Sequence, residues 1–274
     1  MNLKNKLRQQ TDEKRGLLAT NFYNLETLHG VLGAAQQTGD SLILQLTQSS
    51  IDYMGLDTAV ALGREGLKQF GVEGWIHLDH GGSVELAQRC LDAGFDSVMI
   101  DGSELPFSEN VKITQEVVRR AKSYGAHVEA ELGFVAKLGQ SHAHNGFTQP
   151  HEAKQFVEET GVDALAISIG TAHGFYKEEP KLQIDLLKAI VEEVSDATFV
   201  LHGSSGVPDE QLRTAIQNGI CKVNLATEIK NIFMKTLQDI LTQNEEIDLR
   251  KVFPKATNAV TELVKGKLNI INNR

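Results

Sequence analysis

Cysteine is scarce. The 274 residues contain two, Cys90 and Cys221. With no CxxC spacing they exclude a disulfide framework and a cysteine-rich zinc site, and they fit a reducing cytosol. Positive charge is also short: 27 Lys and Arg stand against 36 Asp and Glu, a net charge of -9. A nucleic-acid binder usually carries a basic face, so that class is set aside. An anionic substrate is not, because backbone amides at helix N-termini hold phosphates whatever the global charge. Long apolar runs are missing too. No stretch approaches the roughly 20 residues that a membrane helix needs, and residues 1–15 are polar and charged rather than a secretion signal. The expectation is a soluble, cytoplasmic protein with no nucleic-acid or membrane partner.

What is present is an ordinary globular composition, 41% hydrophobic and 23% charged, which suggests neither disorder nor a membrane class. The length suits one barrel with a single large core, read as one domain over residues 1–274. Short apolar runs alternate with longer amphipathic stretches from about residue 16 to residue 242, the mark of a parallel α/β fold. Eight runs read as buried strands: 17–21, 42–46, 75–78, 97–100, 127–131, 164–169, 199–202 and 221–225. Between them, residues 26–37, 84–93, 108–124 and 209–218 place apolar side chains at helical spacing. Gly39, Gly94, Gly125, Gly161 and Gly219 stand where left-handed helix stops belong. Eight strand-helix units favour a closed (β/α)8 TIM barrel with extra terminal helices, the last of them following Pro254 within residues 248–274.

Such barrels build their sites at the C-terminal ends of the strands. Three of nine histidines stand there, each followed by a glycine: His80-Gly81, His173-Gly174 and His202-Gly203. Three neutral imidazoles around a metal leave a fourth position for substrate, which is the pattern of catalytic zinc. A single strand-end histidine is as readily a loop hydrogen bond; three at one rim are harder to explain so. Period-two geometry puts His77 and Asp79 on one face and turns His80 away unless the chain bends, which Gly81 and Gly82 permit. Asp79 could carry a proton or orient a metal-bound histidine. Asp101 and Glu131 add carboxylates at the ends of the fourth and fifth strands, where either alone could be a loop cap. After the seventh strand, Gly203-Ser204-Ser205-Gly206 precedes a helix, and after the eighth, Asn224-Leu225-Ala226-Thr227 does the same. Phosphate sites of barrels commonly lie after those two strands.

The stretches His77-Leu78-Asp79-His80-Gly81, Ser97 to Ser103, Gly170-Thr171-Ala172-His173-Gly174, Leu201 to Gly206 and Lys222 to Thr227 resemble the class II fructose- and tagatose-bisphosphate aldolase family. The likeness covers nearly the whole chain. It implies zinc held by His80, His173 and His202, with Asp79 as the catalytic proton carrier. A dihydroxyacetone-phosphate site is implied at Gly174, at Gly203, Ser204 and Ser205, and at Asn224, Leu225, Ala226 and Thr227, often beside a monovalent cation such as sodium or potassium. Asp101 and Glu131 match positions of an alternative or second metal site. Asp248-Leu249-Arg250 resembles a segment whose arginine reaches into a neighbouring subunit and binds a distal phosphate, which implies a homodimer or homotetramer. Its bland alternative is a solvated charge near a helix start. The strand-end lysine of a Schiff-base aldolase is not evident.

Two stretches depart from the family pattern. The long segment after the fifth strand, residues 133–149, lacks the usual acidic pair; His142 or His144 could stand in, or could simply be solvated. Thr47-Gln48-Ser49-Ser50 replaces the more usual Ser-Glu-Gly-Ala, which puts the aldehyde half of the substrate in question. The resulting expectation is zinc-dependent, reversible cleavage of a ketose (bis)phosphate to dihydroxyacetone phosphate and an aldehyde such as glyceraldehyde 3-phosphate. The alternatives are a metal-dependent phosphosugar isomerase or epimerase, or an impaired sugar-phosphate-binding protein.

Overall fold

The computed structural model describes residues 1–133, 135, 146–176 and 178–274. Eight strands, β1 (Leu17–Asn21), β2 (Leu42–Leu46), β3 (Gly74–Gly81), β4 (Ser97–Ile100), β5 (His127–Leu132), β6 (Ala164–Ile167), β7 (Thr198–Leu201) and β8 (Ile220–Leu225), close into one barrel in sequence order. Every pair is parallel, including β1 with β8. The eight-stranded TIM barrel expected from the alternation is therefore the fold.

The outer layer contains α2 (Leu25–Thr38), α3 (Gln48–Met54), α4 (Leu56–Phe70), α5 (Val84–Asp92), α6 (Phe107–Ala121), α7 (Pro150–Thr160), α8 (Ile184–Glu193), α9 (Asp209–Gln217) and α10 (Thr227–Leu241). Local chemistry sets several of these boundaries. Asn24 and Thr27 form a reciprocal capping box at the start of α2, and the Ser83 hydroxyl accepts from the Leu86 amide to open α5. All five glycines expected as helix stops have positive φ, between 62° and 118°. The helix read over 108–124 ends at Ala121, and a 3-10 turn over Lys122–Tyr124 carries the chain to Gly125. At the C-terminus, α11 (Leu249–Ile271) begins before Pro254 rather than after it. Asp248 caps the helix by accepting from the Arg250 amide. The proline then only deletes one backbone donor within an otherwise continuous helix.

Strand pleating divides the side chains between two environments. Leu18, Leu42, Leu44, Ile76, Leu78, Val98, Leu165, Val223 and Leu225 join the large core shared with the helices. Facing inward near the N-terminal end, Leu17, Ala19, Ile43, Trp75 and Cys221 meet Leu3 and Leu7 of α1 (Leu3–Asp12), which plugs that mouth. Farther up, the interior turns polar: Gln45, His77, Ser97, Glu129 and Lys222 are all at most 1% exposed. Enclosing that many polar groups is costly unless they are hydrogen-bonded. Here Gln45 pairs with Asp79, His77 with Ser97, and Lys222 with Glu129. No helix among the described residues is long and apolar enough to cross a membrane.

Candidate active site

The C-terminal mouth opens into a cavity of about 620 Å³ whose walls include Asp79, His80, His173, His202, Ser205 and Thr227. His80 reaches it through a local irregularity. The pairing of β3 with β4 slips between Leu78 and Gly81, and His80 itself takes a left-handed φ of 50°. That conformation costs on the order of 1–3 kcal/mol for a non-glycine residue, and it brings His80 round to the face that Asp79 already occupies. The bend expected at Gly81 and Gly82 therefore sits one residue earlier. Gly81 serves differently: a Cβ there would run into the Met99 carbonyl of β4, so only glycine lets the slipped strand pack this closely.

His80 lies near the end of β3, His173 in the loop after β6 and His202 just after β7, yet one ring nitrogen of each lies within 4.8 Å of the others. His80 Nε2 is 2.9 Å from His202 Nδ1. The remaining nitrogen of each of these two rings is held from outside the cluster. Asp101 Oδ2 lies 2.7 Å from His80 Nδ1, and Glu129 Oε1 lies 2.8 Å from His202 Nε2. The nitrogens that face one another are thus the ones a metal would take up, each ring being held from behind by a carboxylate. His80, Asp101 and Glu131 form an overlapping second group within the same span. Glu131 is buried, its Oε2 has no hydrogen-bond partner among the described residues, and it lies 3.6 Å from His202 Nδ1. An orphaned buried carboxylate oxygen beside three imidazoles is a donor set suited to a divalent cation.

Electrostatics point the same way. Burial and the neighbouring Asp101 push the Glu131 carboxyl up to about 8. Burial works against a charged His80, but Asp79, Asp101 and Glu131 outweigh it and raise the imidazole to about 9. His173 is driven down to about 3 by burial and by His80 and His202. Burial likewise lowers His202, against the opposing hydrogen bond from Glu129. Asp79 and Asp101 draw positive charge to this spot, while two of the three imidazoles stay neutral and able to donate.

Asp79 is 5% exposed, and burial alone would raise its carboxyl. His80, His202 and Lys222 more than offset this and hold it below the usual range. Three amides donate to it: Asn21 Nδ2 at 3.2 Å, Gln45 Nε2 at 3.0 Å and Asn224 Nδ2 at 3.3 Å. Asp79 is therefore an ionised carboxylate facing the cavity, 3.9 Å from His80 Nε2.

Beside the histidines, Gly203 approaches the Ala172 backbone so closely that a Cβ would strike the Ala172 carbonyl, and its φ is 68°. Tyr176 pins the same two loops, its hydroxyl accepting from the Ala172 amide at 2.8 Å and donating to the Gly203 carbonyl at 2.7 Å. Ser204 donates to the Asn224 carbonyl, and Ser205 accepts from the Glu228 amide at 3.4 Å. The N-cap residue of α10, Ala226, makes no side-chain cap, so apart from the contact with Ser205 the helix N-terminus opens at Thr227 towards the cavity. Gly174, Gly203, Ser204, Ser205, Asn224, Ala226 and Thr227 all line it. Leu225 does not: its side chain belongs to the outer core, which leaves its backbone as the part that could meet a ligand.

Arg250 stands apart from this cavity. Its side chain is 90% exposed and pairs with Asp248 at 3.0 Å. His142 and His144 lie outside the described residues. Sequence reasoning passed over Asn21 and Gln45 around Asp79, and over Glu129 and Lys222. Their signal was available as polar residues on the inward period-two face, two positions before Glu131 and Asn224. Lys222 is a lysine inside the barrel, but it is 1% exposed with Nζ 2.8 Å from Glu129 Oε2. A ketone carbon has no approach to it.

Among solved structures, the chain is similar to the YdjI aldolase from Escherichia coli K12, with 29% identity, 98% of this chain and 96% of that chain covered, and a TM-score of 0.89. A candidate fructose-1,6-biphosphate aldolase from Coccidioides immitis shares 27% identity over 97% of this chain and 94% of that one, with a TM-score of 0.88. The fructose-bisphosphate aldolase from Campylobacter jejuni, 21% identical over 98% of this chain and 94% of its own, matches in fold with a TM-score of 0.82. The family described as fructose-bisphosphate aldolase class-II matches residues 1–274, and the chain, with its eight-stranded barrel and three-histidine mouth, belongs to that family.

Proposed function

We propose that this chain is a zinc-dependent aldolase that reversibly cleaves a ketose (bis)phosphate to dihydroxyacetone phosphate and an aldehyde such as glyceraldehyde 3-phosphate. The observation that supports this most is the convergence of His80, His173 and His202 beside an ionised, buried Asp79, next to the N-terminal end of α10 at Thr227. In this reading the three histidines hold the zinc, with Asp101 and Glu131 as an alternative seat. Bound there, zinc supplies Lewis-acid polarisation of the substrate's ketone and hydroxyl oxygens and spreads the negative charge that develops next to the carbonyl.

The protein's own groups do the rest. Cleavage requires the hydroxyl on the carbon beyond the breaking bond to lose its proton, and Asp79 carries that proton. Its three amide donors hold the carboxylate in place and favour the ionised form. The amides around Gly203–Ser205 and Ala226–Thr227, with Gly174 and the Leu225 backbone, hold the phosphate of the dihydroxyacetone half. Their fixed orientation selects a phosphorylated ketose. Arg250 cannot serve the cavity of its own chain from where it stands, so we assign it to a neighbouring subunit's distal phosphate in a homodimer or homotetramer. The exposure of Leu249, 61%, and Ile247, 91%, beside it suits such an interface.

The test is a coupled assay for triose phosphate across ketose mono- and bisphosphates, run on protein as purified, after chelation, and after return of zinc. Triose phosphate release that disappears with the metal and returns with zinc is the expected result. Interconversion of sugars without any triose phosphate would replace the aldolase by an isomerase or epimerase.

A further inference from the structure

Halfway up the barrel, beneath the histidine cluster, lies an ion pair with no contact to the cavity. Lys222 of β8 and Glu129 of β5 face each other across the interior, 1% and 0% exposed, with Nζ 2.8 Å from Oε2. Taking both charges out of water costs several kcal/mol per ion, and apolar residues of the same volume would often pack as well or better. Fold stability alone is thus a weak reason for the pair. The other oxygen of Glu129 supplies a better one: Oε1 accepts from His202 Nε2 at 2.8 Å. With its proton committed to Nε2, the ring turns Nδ1 upward into the cluster, 2.9 Å from His80 Nε2. Asn224 Nδ2 also lies 3.1 Å from His202 Nε2, but the ionised Glu129 carboxylate can only accept, so the shorter contact places the proton on Nε2. Glu129 is therefore the group that sets the tautomer of His202.

We infer that Glu129 and Lys222 are positioning residues for the metal centre: Lys222 anchors one oxygen of Glu129 so that the other holds His202 with Nδ1 facing the metal. This rests on the assignment of the three histidines as zinc ligands. His80 is set in the opposite sense, by Asp101 on its Nδ1. The two rings thus present different nitrogens to the same point, and each is fixed by a carboxylate behind it. Neither Glu129 nor Lys222 touches substrate in this arrangement.

A barrel that needs the pair only for packing and a barrel that needs it to aim His202 respond differently to an apolar replacement. In Glu129→Leu/Lys222→Met the buried charges go together, so the unfolding temperature should stay at or above that of the wild type. Zinc affinity, measured by chelator competition on the full-length protein, should still fall by roughly 10- to 100-fold. The visible absorption of the cobalt-substituted protein should change as well, because His202 loses its orientation. Unchanged zinc affinity and an unchanged cobalt spectrum in the folded double variant would overturn the inference. Should that variant not fold, Glu129→Gln carries the same two readings. Its amide keeps the shape but cannot accept from Lys222 and His202 with both terminal atoms. A wild-type protein whose zinc is insensitive to His202→Ala would sink the ligand assignment, and this inference with it. Zinc bound through His202 but without triose phosphate release would count against the aldolase alone.

Discussion

At the scale of single residues, the site works by opposing influences on groups a few ångströms apart. Asp79 is buried, yet His80, His202, Lys222 and three amide donors keep it ionised. Glu131, equally buried but beside Asp101, is pushed up to about 8. Two carboxylates in one barrel mouth thus differ in protonation because their neighbours differ. If Asp79 carries the proton and does not hold the metal, Asp79→Asn should keep its zinc content. Turnover should nevertheless slow by roughly two to four orders of magnitude. Metal analysis alongside steady-state kinetics checks both halves, and loss of zinc in the variant would make Asp79 a ligand or an orienting group instead.

At the scale of elements, the slip at the end of β3 decides whether His80 reaches the site. A regular strand would send its side chain into the outer core, opposite Asp79. The left-handed φ at His80 is tolerated because Gly81 packs directly against the Met99 carbonyl. Adding one methyl group must pry β3 from β4 or push His80 back. Gly81→Ala should therefore destabilise the fold by about 1–3 kcal/mol and release metal more readily, measured by urea unfolding and chelator competition. A variant as stable and as metal-retentive as the wild type would show that the slip does not depend on this close approach.

For the whole molecule, the polar barrel interior makes stability depend on pH. Burial drives the His127 imidazole, hydrogen-bonded to Ser97 at 3.1 Å, from 6.5 down to about 4. Because the folded value is the lower one, its contribution is fully present above pH 6.5 and lost as the pH falls through about 4. At about 1.4 kcal/mol per pKa unit, as much as ~3 kcal/mol is at stake. His127→Gln, which cannot take up a proton, should flatten part of the fall in unfolding temperature between those two pH values. An identical slope in wild type and variant would assign the acid sensitivity to other groups. Assembly is the second property at this scale. If Arg250 completes a neighbouring site, Arg250→Ala should raise KM strongly for a ketose bisphosphate by removing a charge-assisted contact, and leave a monophosphate almost unaffected. Equal effects on both substrates, or a fully active monomer in sedimentation, would rule this out.

The barrel itself was legible in the sequence because burial on both faces writes each parallel strand as a short apolar run, and glycine stops mark the returns between them. β1, β2 and β4 were read with their observed bounds and the other five strands to within three residues, since the last residues of a strand carry the same local signal as the loop after it. The three histidines and Asp79 stood out for the same local reason, each within a glycine-bounded strand end. What pattern alone left open was which way His80 faced, because strand periodicity assigns it to the wrong side. Only the pairing of β3 with β4 resolves that, through a slip that no local preference encodes. Glu129 and Lys222 were likewise visible as residues but not as partners. They are 93 positions apart, and only closure of the barrel brings β5 and β8 face to face. Local chemistry determined the elements and the ligand types; contacts across the closed barrel decided the orientation of each ligand and what holds it.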